Sequence, residues 1–210
     1  MATSLAKENI LRKIRQALSN PVPLPFAIQE SSNLSVFKPQ DEDLAVLFAE
    51  NFKTIQGNFS FCNNENDLLH QVSTLIQTKK WENIFCREEN IKSLLSKNNQ
   101  ELYTELSTCD VSITGCEYLI SRTGTIVMSS AQESGRTTSV YAPVHICIAY
   151  SNQLVYDLKD ALAFLKTKYH NNIPSLITFA TGPSRTADIE KTLVTGVHGP
   201  KEVYCFLVES

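Results

Sequence analysis

The chain has 210 residues, 42% of them hydrophobic and 20% charged, with a formal net charge of −3. These proportions are those of an ordinary globular protein with one core, and they exclude a disordered or fibrous polypeptide. The slightly acidic balance, with no run of Lys and Arg, excludes a broad basic field for nucleic acid.

The opening segment MATSLAKENILRKIRQALSN interrupts its apolar residues with charges every few positions, unlike a secretory leader. Ile10, Leu11, Ile14, Ala17 and Leu18 recur at helical spacing and predict an amphipathic helix over residues 4–19. The three prolines of NPVPLPF stop that helix and impose an extended linker over 20–26. Residues 1–25 therefore read as an arm, packing either on its own domain or on a neighbouring subunit of a homo-oligomer. Residues 26–210 read as one α/β domain. Within it, helices over 41–55 and 65–78 alternate with strands over 58–62 and 83–86. Strands over 126–129, 144–149, 176–181 and 203–208 come later, with a helix over 151–169. This alternation predicts an open, mainly parallel sheet with helices on both faces. The longest apolar run, around VHICIAY, is far too short for a membrane helix, so no membrane insertion is expected and the cytoplasm is the expected location.

The six cysteines include no CxxC pair and the four histidines no HExxH, so no metal site is expected and the thiols read as buried and reduced. Neither GxGxxG nor GxxxxGK[ST] is present, and no cofactor is expected in this chain.

Three constellations carry the chemistry. In TFATGPSRTADIEKTLV an apolar strand turns at Gly182 and Pro183, and a helix is expected after the turn, capped by Ser184 or Thr186 with Asp188 in its first turn. The free N–H groups of such a helix start, with Arg185 beside them, would hold a small carboxylate or phosphate. The alternative is a capped helix whose polar residues serve only the backbone. In SITGCEYLISRTGTIVMSS, Glu117 comes just after a strand-end glycine, where open α/β sheets place acid–base groups, and Thr123, Gly124 and Thr125 form a turn into the next strand. The alternative is a surface glutamate beside an ordinary turn. In TGVHGPKEVYCFLV, His198 stands between Gly196 and Gly199, free to act near neutral pH or simply part of a structural turn. Ser134-Gly135-Arg136 reads either as a mobile cationic loop or as a solvated surface turn. Glu117 and His198 are thus the expected catalytic groups. Thr123, Gly124, Thr125, Gly182, Ser184, Arg185, Thr186 and Asp188 are the expected substrate contacts.

ITGCEYLISRTGTIVMSS, VHICIAY, FATGPSRTADIE and LVTGVHGPKEVYCFLV, in this order over residues 111–208, resemble the lactate-utilisation protein C family, whose shared unit is the LUD domain. GPSRTADIE and GVHGP are the most specific parts, while residues 27–110 carry little that matches. The resemblance implies the sheet type shared by glucosamine-phosphate deaminase, ribose-5-phosphate isomerase and coenzyme A transferases. It also implies the cluster-free part of a system that oxidises L-lactate to pyruvate, supplying a small-anion site or an assembly surface to iron–sulfur partner proteins. One departure stands out: the family places an acid directly before Thr-Gly-Thr, where this chain has Arg122. Glu117 keeps the family's other acid and ranks above Arg122. Two further readings stay open: a stand-alone isomerase or acyl/CoA-transfer enzyme with Glu117 as base or nucleophile, and a non-catalytic ligand-binding regulator or scaffold.

Overall fold

The structure, a computed structural model, describes residues 5–19, 43–98, 100–170, 172–189 and 192–209. The chain divides into two units, Met1–Gln40 and Asp41–Ser210. In the first, α1 (Leu5–Leu18) forms where the 3.6-residue period places it. The linker expected over 20–26 lies outside the described residues.

The second unit opens with α2 (Leu44–Thr54), whose start is capped by Asp43 accepting from the Ala45 N–H. After β1 (Asn58–Cys62) comes α3 (Glu65–Lys79), capped by Asn64 and closed by the left-handed Lys80. Next are β2 (Ile84–Cys86), α4 (Glu89–Ser96), β3 (Val111–Thr114), β4 (Tyr118–Ile120), β5 (Thr125–Ser129) and α5 (Thr138–Tyr141). The remainder comprises β6 (Val144–Tyr150), β7 (Leu154–Val155), α6 (Leu158–Tyr169), β8 (Ile177–Ala180), β9 (Arg185–Ile189), β10 (Thr192–Thr195) and β11 (Glu202–Val208).

Five strands form a parallel sheet in the order β1-β11-β6-β3-β2. Its centre is the β6/β11 pair, in register from Val144 opposite Glu202 to Tyr150 opposite Val208. Both strands are covered on both faces, which is why they read as nearly continuous apolar runs. On one face α3 and α4 bring Leu68, Val72, Ile91 and Leu94 against Ile113, Ile146 and Phe206. On the other, Cys147, Cys205 and Leu207 meet Phe48 and Phe52 of α2 together with Leu119, Ile126 and Met128. The last three belong to a second sheet, in the order β7-β4-β5-β8. Its outer residues Ile120, Val127 and Val155 are covered by Ala161 and Leu165 of α6.

The open, mainly parallel α/β sheet is therefore the architecture that the alternation predicts. Two departures from the sequence reading concern the layers around that sheet. The helix expected over 151–169 is three pieces: a turn at Ser151–Gln153, then β7, then α6 started by the Asp157/Asp160 capping box. The strand expected over 176–181 joins the second sheet, antiparallel to β5.

Candidate functional site

Open α/β sheets bind ligands outside the carboxyl ends of their strands, where successive loops diverge. Beyond β2, β3 and β6 this chain has a cleft of about 490 Å³, lined by Gly115, Cys116 and Ile148, by Asn90, Ser93 and Lys97 from α4 and its end, and by Gln153. Glu88, just before α4, also lines it and accepts the Gly115 N–H at 2.9 Å. A Cβ at position 115 would stand 2.8 Å from the other Glu88 oxygen, so a larger residue there would push this carboxylate aside. Gln153 fixes the opposite rim by donating to the Cys116 carbonyl at 2.6 Å and accepting the Tyr150 N–H at 2.8 Å. Lys97 pairs with Glu65 at 3.1 Å across the mouth, an exposed pair that water and salt weaken.

Two residues past Gly115, Glu117 is buried and its N–H is tied to the Val127 carbonyl at 2.7 Å where β4 meets β5. Its carboxylate accepts from Ser129 Oγ at 2.5 Å, Tyr169 OH at 2.6 Å and Lys168 Nζ at 2.7 Å. Burial is the largest single influence and pushes this carboxyl up, but the donors from Lys168, Ser129 and Tyr169 together outweigh it and hold the group below the usual carboxylate range. The Lys168 ammonium shows the same balance: burial, its largest single influence, favours the neutral amine, yet the contacts with Glu117 and its neighbours together raise it. Ser129 also accepts the Ala131 N–H, and Gln132 accepts the Ser129 N–H, so a single turn runs from the Glu117 carboxylate to the Gly115 side of the cleft. A carboxylate already holding three donors is poorly placed to take a further proton. Its effect is to orient Lys168, whose side chain is 54% exposed, and the Tyr169 hydroxyl.

The other expected residues lie elsewhere. Thr123, Gly124 and Thr125 form the turn that seats α2: Gly124 has φ +60°, and a Cβ there would stand 2.5 Å from the Phe52 nitrogen. The hydroxyls of Thr123, Thr125 and Thr181 run in a chain with steps of 2.7 and 2.9 Å. Arg122 pairs with Asp157 at 2.7 Å, and the Asp157 carboxylate caps α6.

The helix expected after Gly182-Pro183-Ser184 is not there. Arg185–Ile189 is β9, paired antiparallel with β10, with Thr186 opposite Val194 and Asp188 within the strand. The β-branched residues of this stretch (Thr186, Ile189, Thr192, Val194 and Thr195) favour extended backbone over helix. The expected helix-start anion site at Gly182, Ser184, Arg185, Thr186 and Asp188 thereby loses its N–H groups. Arg185 instead donates to the Ile55 carbonyl at the end of α2, where a cation satisfies a helix terminus. Gly182 (φ +80°) packs on the same carbonyl, leaving 2.6 Å for an added Cβ. Ser184 exchanges backbone bonds with Gly196 and Pro200, both at 2.9 Å, which closes the hairpin's base. His198 is exposed in a separate depression with Val140, Tyr141 and Lys201, and among the described residues it has no hydrogen bond to the Glu117 network. In the Ser134-Gly135-Arg136 loop, Ser134 is buried and Arg136 donates to Ser175 Oγ.

Of these residues the sequence reading singles out Glu117, after the strand-end Gly115, and passes over Glu88, Ser129, Gln132, Gln153, Lys168 and Tyr169. Lys168 and Tyr169 sit at the end of a helix 51 and 52 residues past Glu117, a separation that leaves no local spacing to read. Ser129 is legible only as the end of a strand.

The LUD domain family model matches residues 46–208. Lactate utilization protein C of Bacillus licheniformis is 33% identical over 135 residues, covering 63% of this chain and 51% of that protein. The protein of the same name from Bacillus subtilis is 31% identical over 138 residues, 58% of each chain. An uncharacterized protein of Neisseria meningitidis serogroup B is 25% identical over 214 residues, covering 94% of this chain and 91% of that protein. The chain spans about half the length of the lactate utilization proteins it matches first. Among solved structures, a DUF162 family protein from Deinococcus radiodurans aligns with a TM-score of 0.58 and 18% identity over 79% of this chain and 96% of that one, a likeness of fold.

Proposed function

The chain belongs to the LUD domain family, and from that membership we propose that it is a component of a lactate-utilisation system. The observation that carries the reading is the recurrence of one name, lactate utilization protein C, among relatives from several organisms. Oxidation of L-lactate to pyruvate breaks a C–H and an O–H bond and releases two electrons and two protons. On this reading the electrons pass to iron–sulfur clusters held by companion proteins, and this chain contributes the surface that binds the small acid. The cleft at the sheet's carboxyl ends suits that task. Asn90, Ser93 and Lys97 offer donors to a carboxylate and a hydroxyl, and Glu88 offers an acceptor to the hydroxyl proton. The family resemblance extends through the Gly115–Cys116 corner of this cleft.

Reconstitution with the purified companion proteins tests the proposal. Lactate oxidation should require this chain, and Lys97→Ala should raise the lactate concentration needed for half-maximal rate about tenfold, the loss of one charged contact. Full oxidation by the companions without this chain would overturn it.

A further inference from the structure

The first unit holds an amphipathic helix with an exposed apolar stripe: Ile10, Ile14 and Leu18 of α1 are 59%, 48% and 74% exposed. A helix of 14 residues is about 21 Å long and is marginal by itself in water. Its stripe therefore calls for an apolar partner. Its charge is lopsided, with Lys7, Arg12, Lys13 and Arg15 against Glu8 alone. At 3.6 residues per turn, Lys13 and Arg15 fall on opposite borders of the stripe.

The second unit holds a groove of about 570 Å³ between α2 and β1. Its apolar surface includes Val46, Phe59, Phe61 and Leu154, and Val46 and Phe61 are 55% and 40% exposed. Its charged lining is all acidic: Asp43, Glu50 and Glu209, with no cation among the described residues. β1 is an edge strand of its sheet, so no neighbouring strand closes the groove on that side. An apolar trough bordered by carboxylates has the shape and sign to receive an apolar helix face bordered by Lys and Arg.

We propose that this groove receives α1 of a second copy of the chain, so that two copies exchange arms. The stripe of the first unit and the groove of the second each carry exposed apolar residues, and reciprocal exchange with a second copy covers all four surfaces at once. The 25 residues between Leu18 and Leu44 could extend to roughly 80 Å, ample reach for a neighbour. Reciprocal exchange is two-fold symmetric and closes at a dimer instead of growing into a filament.

The test uses full-length chains and light scattering after gel filtration. The unsubstituted chain should be a dimer at micromolar concentration, weakened as salt rises. Ile14→Asp on the arm and Val46→Asp in the groove should each raise the dimer dissociation constant at least about tenfold, with far-ultraviolet circular dichroism and melting unchanged. Mixing the two variants is decisive, because each retains the half that the other lacks: a heterodimer with one good contact should form and bind more tightly than either variant with itself. Glu50→Lys provides a second groove variant at an exposed position should Val46→Asp perturb the fold. A monomer at every concentration, as expected if the arm folds back on its own chain, would overturn the proposal. So would a dimer indifferent to both groove variants, or a mixture no tighter than its components, as expected if arm pairs with arm.

Discussion

Glu117 is held ionised in a place where burial favours the neutral acid, and the difference comes from three donors. Because its folded carboxyl lies below the ordinary range, its contribution to stability is present above that range and is lost as pH falls through the lowered value. Glu117→Gln should cost about 2 kcal/mol at pH 7, roughly 4–8 °C in Tm, and the gap to the unsubstituted protein should shrink as pH falls below the usual carboxylate range. The figure rests on hydrogen bonds to a charged acceptor, and the ionic part is discounted because Lys168 is half exposed. His145 titrates in a different window. It is buried in β6 with Nε2 2.8 Å from Thr114 Oγ1, and burial pushes its imidazole down from 6.5 to about 4. A base with a lowered pKa leaves stability intact above about 6.5 and erodes it as the unfolded chain takes up a proton below that value. Urea unfolding should therefore show about 2 kcal/mol lost between pH 7 and 5, and His145→Gln should flatten that decline. Of these two groups only Glu117 is legible in the sequence, by its place after Gly115. His145 is hidden inside an apolar run, because its role comes from lying beside β3 and under the second sheet.

The seat of α2 depends on glycine. Gly124→Ala puts a Cβ at φ +60° against the backbone of Phe52, which cannot move without unseating the helix, and should cost about 3 kcal/mol or more. Gly135 supplies the control. It has φ +67° with nothing within 4 Å of an added Cβ, so Gly135→Ala should cost only the conformational strain, about 1 kcal/mol. Thermal melts of the two variants check the pair, and equal losses would show that contact with α2 is irrelevant. The Thr-Gly-Thr turn resembles a substrate contact in sequence because a glycine that admits a ligand and a glycine that admits a helix carry the same signature. The hairpin of β9 and β10 is masked for a related reason. Gly-Pro-Ser announces a turn but not the conformation of the next residues, and only the β-branched side chains after it decide for strand over helix.

Across the whole molecule, the parallel sheet is readable because its long central strands are apolar throughout, and α3 and α2 because their caps and periods agree. The second sheet is not readable as a layer. β5 and β8 read as strands, but β4 and β7 run only three and two residues and the four come from both sides of β6 in the chain, so nothing local joins them into one sheet. The candidate cleft inherits this pattern, since Gly115 and Cys116 follow a strand end that the sequence marks, whereas Gln153 arrives from the turn before β7. The strand order bears on biosynthesis. β11 lies between β1 and β6, yet it is made after every other strand described. On the ribosome β1 has no neighbour to pair with, and β6 has only one, until β11 emerges. Until then the nascent chain carries an unfinished sheet with exposed edges, the kind of surface that chaperones recognise.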